Sequence, residues 1–222
     1  MSEGLRERKK RQTRQRIGEA ATTLFLARGF DNVTIAEVAE AAEVSVNTLY
    51  NYVEAKEDLV LPPSELFARR LADFVQERAV GESAAGAILS RLRDEVHRRD
   101  RRLGLTEGFA PVYLMMRAAP TLTARLELLG RQMTAELATV LAEETGTTPD
   151  DPLPRLVAHQ LGALHALVFS EIGRLISAGQ GPDAIAEAVL ALLAAAESTL
   201  GDPLLGYATR ENTPGENTTG ED

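Results

Sequence analysis

Three histidines and no cysteine leave this 222-residue chain little with which to make or break covalent bonds. The missing thiols exclude disulfide scaffolds, thiolate zinc sites, cysteine nucleophiles and iron–sulfur clusters. His159 and His165 stand six apart on one predicted helix, roughly 600° of rotation and so about 120° from eclipsing, a poor geometry for sharing a metal ion. There is no His-Glu-x-x-His pair, no glycine-rich phosphate loop after a strand, and no nucleophile beside a base. No catalytic residue, metal or cofactor is therefore expected, and the chain does not read as an enzyme. The chemistry that remains is non-covalent recognition. Val46, Asn47, Thr48 and Asn51 fall close together. On the outer face of a helix, such side chains enter a major groove about 12 Å wide and touch base edges.

Two short predicted helices must position that segment. Thr34-Ile35-Ala36-Glu37 is a capping box, in which Thr accepts from the Glu amide while the Glu side chain reaches back, and it opens a helix continuing through Val38, Ala39 and Ala42. Ser45 then caps a helix from Val46 to about Tyr52. Val38, Ala39, Val44 and Leu49 can form a miniature core that fixes the angle between the two helices, which is the sequence form of a helix-turn-helix. Upstream, Ile17, Ala20, Ala21, Leu24 and Phe25 make one apolar stripe on a helix ending at Arg28-Gly29. Residues 1–18 form a basic arm and the start of that helix. They carry seven Arg and Lys, from Arg6 to Arg16, against Glu3 and Glu7, on a chain whose formal net charge is −9. Such a patch attracts phosphate despite the net charge, because charges act within a Debye length of about 8 Å at physiological salt. Lys56-Glu57-Asp58-Leu59 starts a fourth helix, which Pro62-Pro63 should kink or break.

In order and spacing, and in the signature Thr48-Leu49-Tyr50-Asn51-Tyr52 followed by Lys56-Glu57-Asp58-Leu59, residues 12–60 resemble the N-terminal DNA-binding domain of TetR-type transcriptional regulators. The resemblance implies an all-α fold, with an N-terminal three-helix helix-turn-helix domain followed by a helical bundle for effector binding and dimerisation. It also implies a homodimeric repressor that binds a pseudo-palindromic operator and releases it when a small hydrophobic effector binds. Carried over residue by residue, Thr34 contacts phosphate through its hydroxyl and backbone amide. Val46, Asn47, Thr48 and Asn51 face the bases, Asn matching adenine and the Val or Thr methyl matching thymine. Tyr50 and Tyr52 donate to phosphates, and Lys56 adds a point charge there. Ala36 stands where some members place a base-contacting Arg, and Val53 where Phe is commoner. In this family the fourth helix couples effector pocket to DNA domain, so the Pro62-Pro63 break falls on the coupling path.

Residues 61–200 read as six further helices. Phe109, Tyr113, Met116 and Arg117 are concentrated in a chain with only 5% aromatics, and with His165 and Phe169 they are expected to wall an effector pocket or else to serve as plain core. Leu161, Leu164, His165, Val168, Ile172 and Leu175 form one stripe on the last two long helices, and Ile185, Val189, Leu192, Leu193 and Ala196 another. With the small residues Ala186, Ala191, Ala194 and Ala195 alongside, they are expected to form a homodimer interface or to serve the monomer's own core. Residues 201–222, acidic and rich in Gly, Pro, Asn and Thr, are expected to be a disordered tail. The longest apolar run, Ala188 to Ala196, is less than half the ~20 residues that cross a bilayer, and no secretory leader opens the chain, so the reading is cytoplasmic. The alternative to a DNA-binding regulator is a helical interaction protein whose helix-turn-helix corner is structural only.

Overall fold

The computed structural model describes residues 4–148 and 150–211. Glu3, the side chain of Arg6 and the tail beyond residue 211 lie outside the described residues. Among the described residues all regular structure is helical. Helix α1, Leu5–Arg28, runs without a break through the basic segment, so what read as an arm is the first turns of a long helix. Gly29, at φ 81°, ends it with its N–H bonded to the Phe25 carbonyl at 2.8 Å. Only the C-terminal half of α1 is buried: Ile17, Ala21 and Phe25 pack inward, while Arg8, Lys9, Lys10 and Arg14 are exposed.

Helices α2, Ile35–Ala41, and α3, Val46–Tyr50, follow as the two arms of the corner. Between them Glu43 takes the left-handed conformation at φ 52°, and two bonds close the turn: Glu43 N–H to Glu40 O at 3.0 Å and Val44 N–H to Ala39 O at 2.9 Å. This Schellman geometry is ordinarily a glycine's, because a Cβ crowds the backbone there. Val38, Ala39 and Leu49 are fully buried, and Val44 packs against them, which is the expected miniature core.

The fourth helix is broken as the prolines require. Lys56–Leu59 is one 3-10 turn, and α4, Ser64–Gln76, begins just after Pro62-Pro63. The bundle then comprises α5, Ala84–His97; α6, Phe109–Ala118; α7, Pro120–Glu144; α8, Pro152–Ser177; and α9, Pro182–Thr199. Helices α7, α8 and α9 each open on proline, whose missing N–H costs nothing in a first turn. Helix α4 lies along α7, α7 along α8, and α8 against α9.

Two apolar cores form. One joins α4, α5, α7, α8 and α9; the other fills the N-terminal corner. The second also takes Ala119, Leu122 and Leu129 from the start of α7, so packing crosses the domain boundary expected after residue 60. Residues 201–211 depart from the expectation of disorder. A short helix α10, Asp202–Leu205, docks with Leu204 buried, and Arg78, itself 4% exposed, donates to the carbonyl of Ala208 at 2.9 Å and to Glu144 at 2.6 Å. A buried guanidinium needs such acceptors, and the main chain of the C-terminal segment supplies one of them.

Candidate nucleic-acid interface and effector cavity

Residues Val46 to Asn51 are held by bonds that close within the corner itself. Ser45 Oγ accepts the Thr48 N–H at 3.0 Å and shares a hydrogen bond with Thr48 Oγ1 at 2.7 Å, so the cap and the first turn lock each other. Leu49 plugs the core beneath. Val46 (38% exposed), Asn47, Tyr50 (51% exposed) and Asn51 are left facing outward, with Asn51 as the C-cap. Thr48, also expected to face the bases, is half-buried with its hydroxyl turned to Ser45. Tyr52, expected at a phosphate, is half-buried and packs on the N-terminal core.

Thr34 is also more occupied than expected. Its hydroxyl donates to Glu37 Oε2 at 2.8 Å, its backbone N–H donates to the same oxygen at 2.7 Å, and its oxygen accepts the Glu37 N–H at 3.3 Å. Both donors that were expected to meet phosphate are thus spent on a carboxylate. Arg28 closes on the other oxygen of Glu37 at 2.8 Å. These partners, the Thr34 amide foremost, then its hydroxyl and Arg28, hold the Glu37 carboxyl down at about 2. Lys56 does not stand free either: its ammonium sits 4.3 Å from the Phe30 ring centroid and 5.8 Å from that of Phe25, a cation–π seat that fixes where its charge is presented. Ala36 is exposed on α2, and Val53 packs on the N-terminal core.

In the bundle, Phe109, Tyr113, Met116, Arg117, His165 and Phe169 all line one open cavity of about 1900 Å³. Glycines make room for it. A Cβ on Gly104 would come within 2.3 Å of the Phe109 ring, and one on Gly173 within 1.9 Å of the Tyr113 hydroxyl. The His165 and Phe169 rings lie 4.7 Å apart on one face of α8. Burial, then the nearby charge of Arg70, depress His165 to about 3, so the imidazole is neutral at pH 7.

Sequence reasoning missed Arg70 and Glu95, which also line the cavity and form an ion pair with both side chains about nine-tenths buried. The signal was present. Arg70 falls between Phe67 and Phe74 on the apolar stripe of α4, and Glu95 follows Leu92 on that of α5, two opposite charges each interrupting a buried face. No group of three or more His, Cys, Asp or Glu among the described residues is placed to hold a metal ion.

The stripes expected to form a dimer interface are used elsewhere. Leu161, Leu164, His165, Val168 and Ile172, together with Ile185, Val189 and Leu193, are buried in the chain's own core, and Leu175, Leu192 and Ala196 pack against it. A different face of the same helices is open: Ala163, Ala166, Leu167 and Ser170 on α8, and Ala184, Ala191, Ala194 and Ala195 on α9. Of the small residues singled out, only Ala186 is buried.

Comparison with known proteins gives concordant results. Residues 17–61 match the family model of bacterial regulatory proteins, tetR family. The HTH-type transcriptional regulator TcmR of Streptomyces glaucescens is 30% identical over 178 residues, covering 78% of this chain and 75% of TcmR. The crystal structure of native NalD, the secondary repressor of the MexAB-OprM multidrug efflux pump in Pseudomonas aeruginosa, superimposes with a TM-score of 0.53 at 18% identity, covering 84% of this chain and 97% of NalD. No helix among the described residues is long and apolar enough to cross a membrane.

Proposed function

The chain belongs to the TetR family of transcriptional regulators, and on that premise we propose that it is a dimeric, cytoplasmic repressor whose operator is read by Val46, Asn47 and Asn51, with Tyr50 donating to phosphate, and released when an effector fills the bundle cavity. The observation that carries the reading is the corner itself. Its core is closed, its caps are satisfied, and the side chains left outward are those able to touch base edges or donate to phosphate. The basic first turns of α1 add sequence-independent attraction to the backbone, and Lys56, seated on Phe30, presents a fixed charge.

One such corner reads too few bases, whereas a two-fold dimer reads two half-sites roughly 34–36 Å, or a multiple, apart. The open small-residue face of α8 and α9 suits close packing against a second copy. That face shares Ala163, Ala166 and Ser170 with the rim of the cavity, so pairing would also narrow an opening larger than the usual 300–1,000 Å³ of small-molecule sites. Release requires the effector to prefer the spacing that cannot span the operator. Contacts from α6 to both α1 and α8, and the bond from Thr121 to Asp31 at 3.2 Å, support a route from cavity to corner that does not depend on an unbroken fourth helix.

The test is an anisotropy titration, at stated salt, of the purified protein against the duplex upstream of its own gene and against scrambled duplex. A preference of about 10³ is expected, and Asn47→Ala should weaken specific binding by about 10- to 100-fold while leaving binding to scrambled duplex unchanged. Equal, weak binding to every duplex, including those recovered by selection from random sequence, would overturn the reading.

A further inference from the structure

Two buried side-chain nitrogens among the described residues have no hydrogen-bond partner, Nε of Arg70 and Nε2 of His165. They come from different helices, α4 and α8, yet both residues line the one cavity. The Arg70 side chain is 9% exposed and His165 is 3% exposed. Isolated polar groups this deep are costly, so a complementary molecule gains by pairing with them.

The surrounding charges say what kind of molecule that is. Arg70 donates through another nitrogen to Glu95 Oε2; Arg102 lies 4.0 Å from the second oxygen of Glu95 and donates to Asp100 at 2.8 Å. Immediately around Arg70, two cations and two carboxylates therefore cancel, and the imidazole beside them is neutral. What this end of the cavity lacks is no counter-ion. It lacks an acceptor for the Arg70 Nε–H and a partner for an uncharged ring nitrogen. A carboxylate or sulfonate entering here would lose its hydration without meeting a net opposite charge, whereas a carbonyl or hydroxyl oxygen satisfies the nitrogens at far smaller cost. Aromatic rings stand beside these groups: Phe109 lies against Gly104, and the His165 and Phe169 rings are 4.7 Å apart at a 40° tilt.

We propose that the effector is an uncharged aromatic molecule whose carbonyl or hydroxyl oxygens are hydrogen-bonded by Arg70 Nε and His165 Nε2. This deepens, and rests on, the reading of the cavity as the effector site. Neither nitrogen is open to solvent, so the molecule reaches them by displacing a neighbouring side chain. Tyr113, on the same cavity wall, rests its hydroxyl on Gly173, and its helix α6 touches α1.

The experiment uses three fluorescent probes of similar size on the full chain: propionyl-dimethylaminonaphthalene, a neutral ketone whose emission reddens when its carbonyl accepts a hydrogen bond; N-phenylnaphthylamine, which has no oxygen; and anilinonaphthalene sulfonate, an anion. The ketone should bind about tenfold tighter than N-phenylnaphthylamine, the ratio of one well-made hydrogen bond to a buried group, with reddened emission. His165→Phe, and separately the paired change Arg70→Leu with Glu95→Leu, each first shown to keep its helical circular dichroism, should abolish both the preference, read as the ketone-to-amine affinity ratio within each variant, and the reddening. Equal affinity for ketone and amine, or reddening that survives both variants, overturns the proposal. Tightest binding of the sulfonate, lost in the same variants, overturns the uncharged class. Failure of all three probes to bind defeats the effector-cavity reading itself, a result distinguishable from the other two.

Discussion

In the N-terminal corner, the bonds that fix the caps and turns run to neighbours three or four residues away; the bundle adds to such local bonds a set that joins residues far along the chain. Thr34 bonds Glu37, Ser45 bonds Thr48, and Asp58 accepts from the amides of Glu54 and Ala55. Arg78, by contrast, reaches Glu144 and Ala208, Arg99 reaches Asp183, and Arg93 reaches Glu197. The corner is complete before its partner arrives, so its outward side chains are held ready and little ordering cost remains on binding. The bundle leaves two buried nitrogens unpaired beside a cavity, so part of its stabilisation waits for an occupant.

The largest perturbation expected to break this contrast is Leu49→Ala. Leu49 is fully buried in a helix of five residues, and its loss should cost about 2–5 kcal/mol in thermal unfolding and abolish operator binding. Aromatic-probe binding in the cavity should survive it. Loss of both functions together would mean that the two cores act as one, as the sharing of Ala119, Leu122 and Leu129 permits.

A smaller effect sharpens the bundle's side of the comparison. His165 takes its proton near 6.5 when unfolded and near 3 in the fold. Between those values the unfolded chain binds a proton that the folded chain does not, so this group's contribution is fully present above about pH 6.5 and is lost as pH falls. At about 1.4 kcal/mol per unit, that is about 3 kcal/mol over two pH units. His165→Phe should remove that portion of the slope in denaturant titrations run from neutral to mildly acidic pH; an identical slope in both proteins would show that the imidazole is not held neutral.

The smallest expected effect has the opposite sign. Glu43 pays for the corner's turn with a left-handed backbone at φ 52°, and its approach to Arg16 at 3.9 Å is a surface contact of little worth. Glu43→Gly should therefore raise stability by about 0.5–1 kcal/mol without changing operator affinity. A fall in the unfolding midpoint would indicate that the side chain, not the backbone, matters at this turn.

How legible each region was follows from the same contrast. Capping boxes, N-caps, the Gly29 terminus and the proline break depend on residues within a few positions of one another, so they could be read along the chain. Helix ends in the bundle were readable for the same reason, since Pro120, Pro152 and Pro182 each begin one. Cavity-lining Phe109, Tyr113 and Met116 were also identifiable, because aromatics and Met crowd α6 in a chain otherwise poor in them. The role of the apolar stripes on α8 and α9 was not readable: an apolar stripe is the same signal whether it meets the chain's own core or another copy. The hydrogen bonds that engage the Thr34 and Thr48 hydroxyls were not read in advance, because a hydroxyl able to donate to DNA can also bond a neighbour three residues away, and here each does.

By itself, then, the sequence determined much of what is local: the helical class, the corner with its caps, and the side chains its second helix carries, though not that Lys56–Leu59 is a 3-10 turn or that helix α1 reaches back to Leu5. The tertiary structure alone decided which charges meet across long separations, which apolar face is spent internally, that residues 201–211 dock on Arg78 instead of remaining a tail, and that Arg70 and His165 come to one cavity with a nitrogen each to spare. Those outcomes depend on how helices many residues apart cross and pack, and the separation along the chain carries no record of that angle.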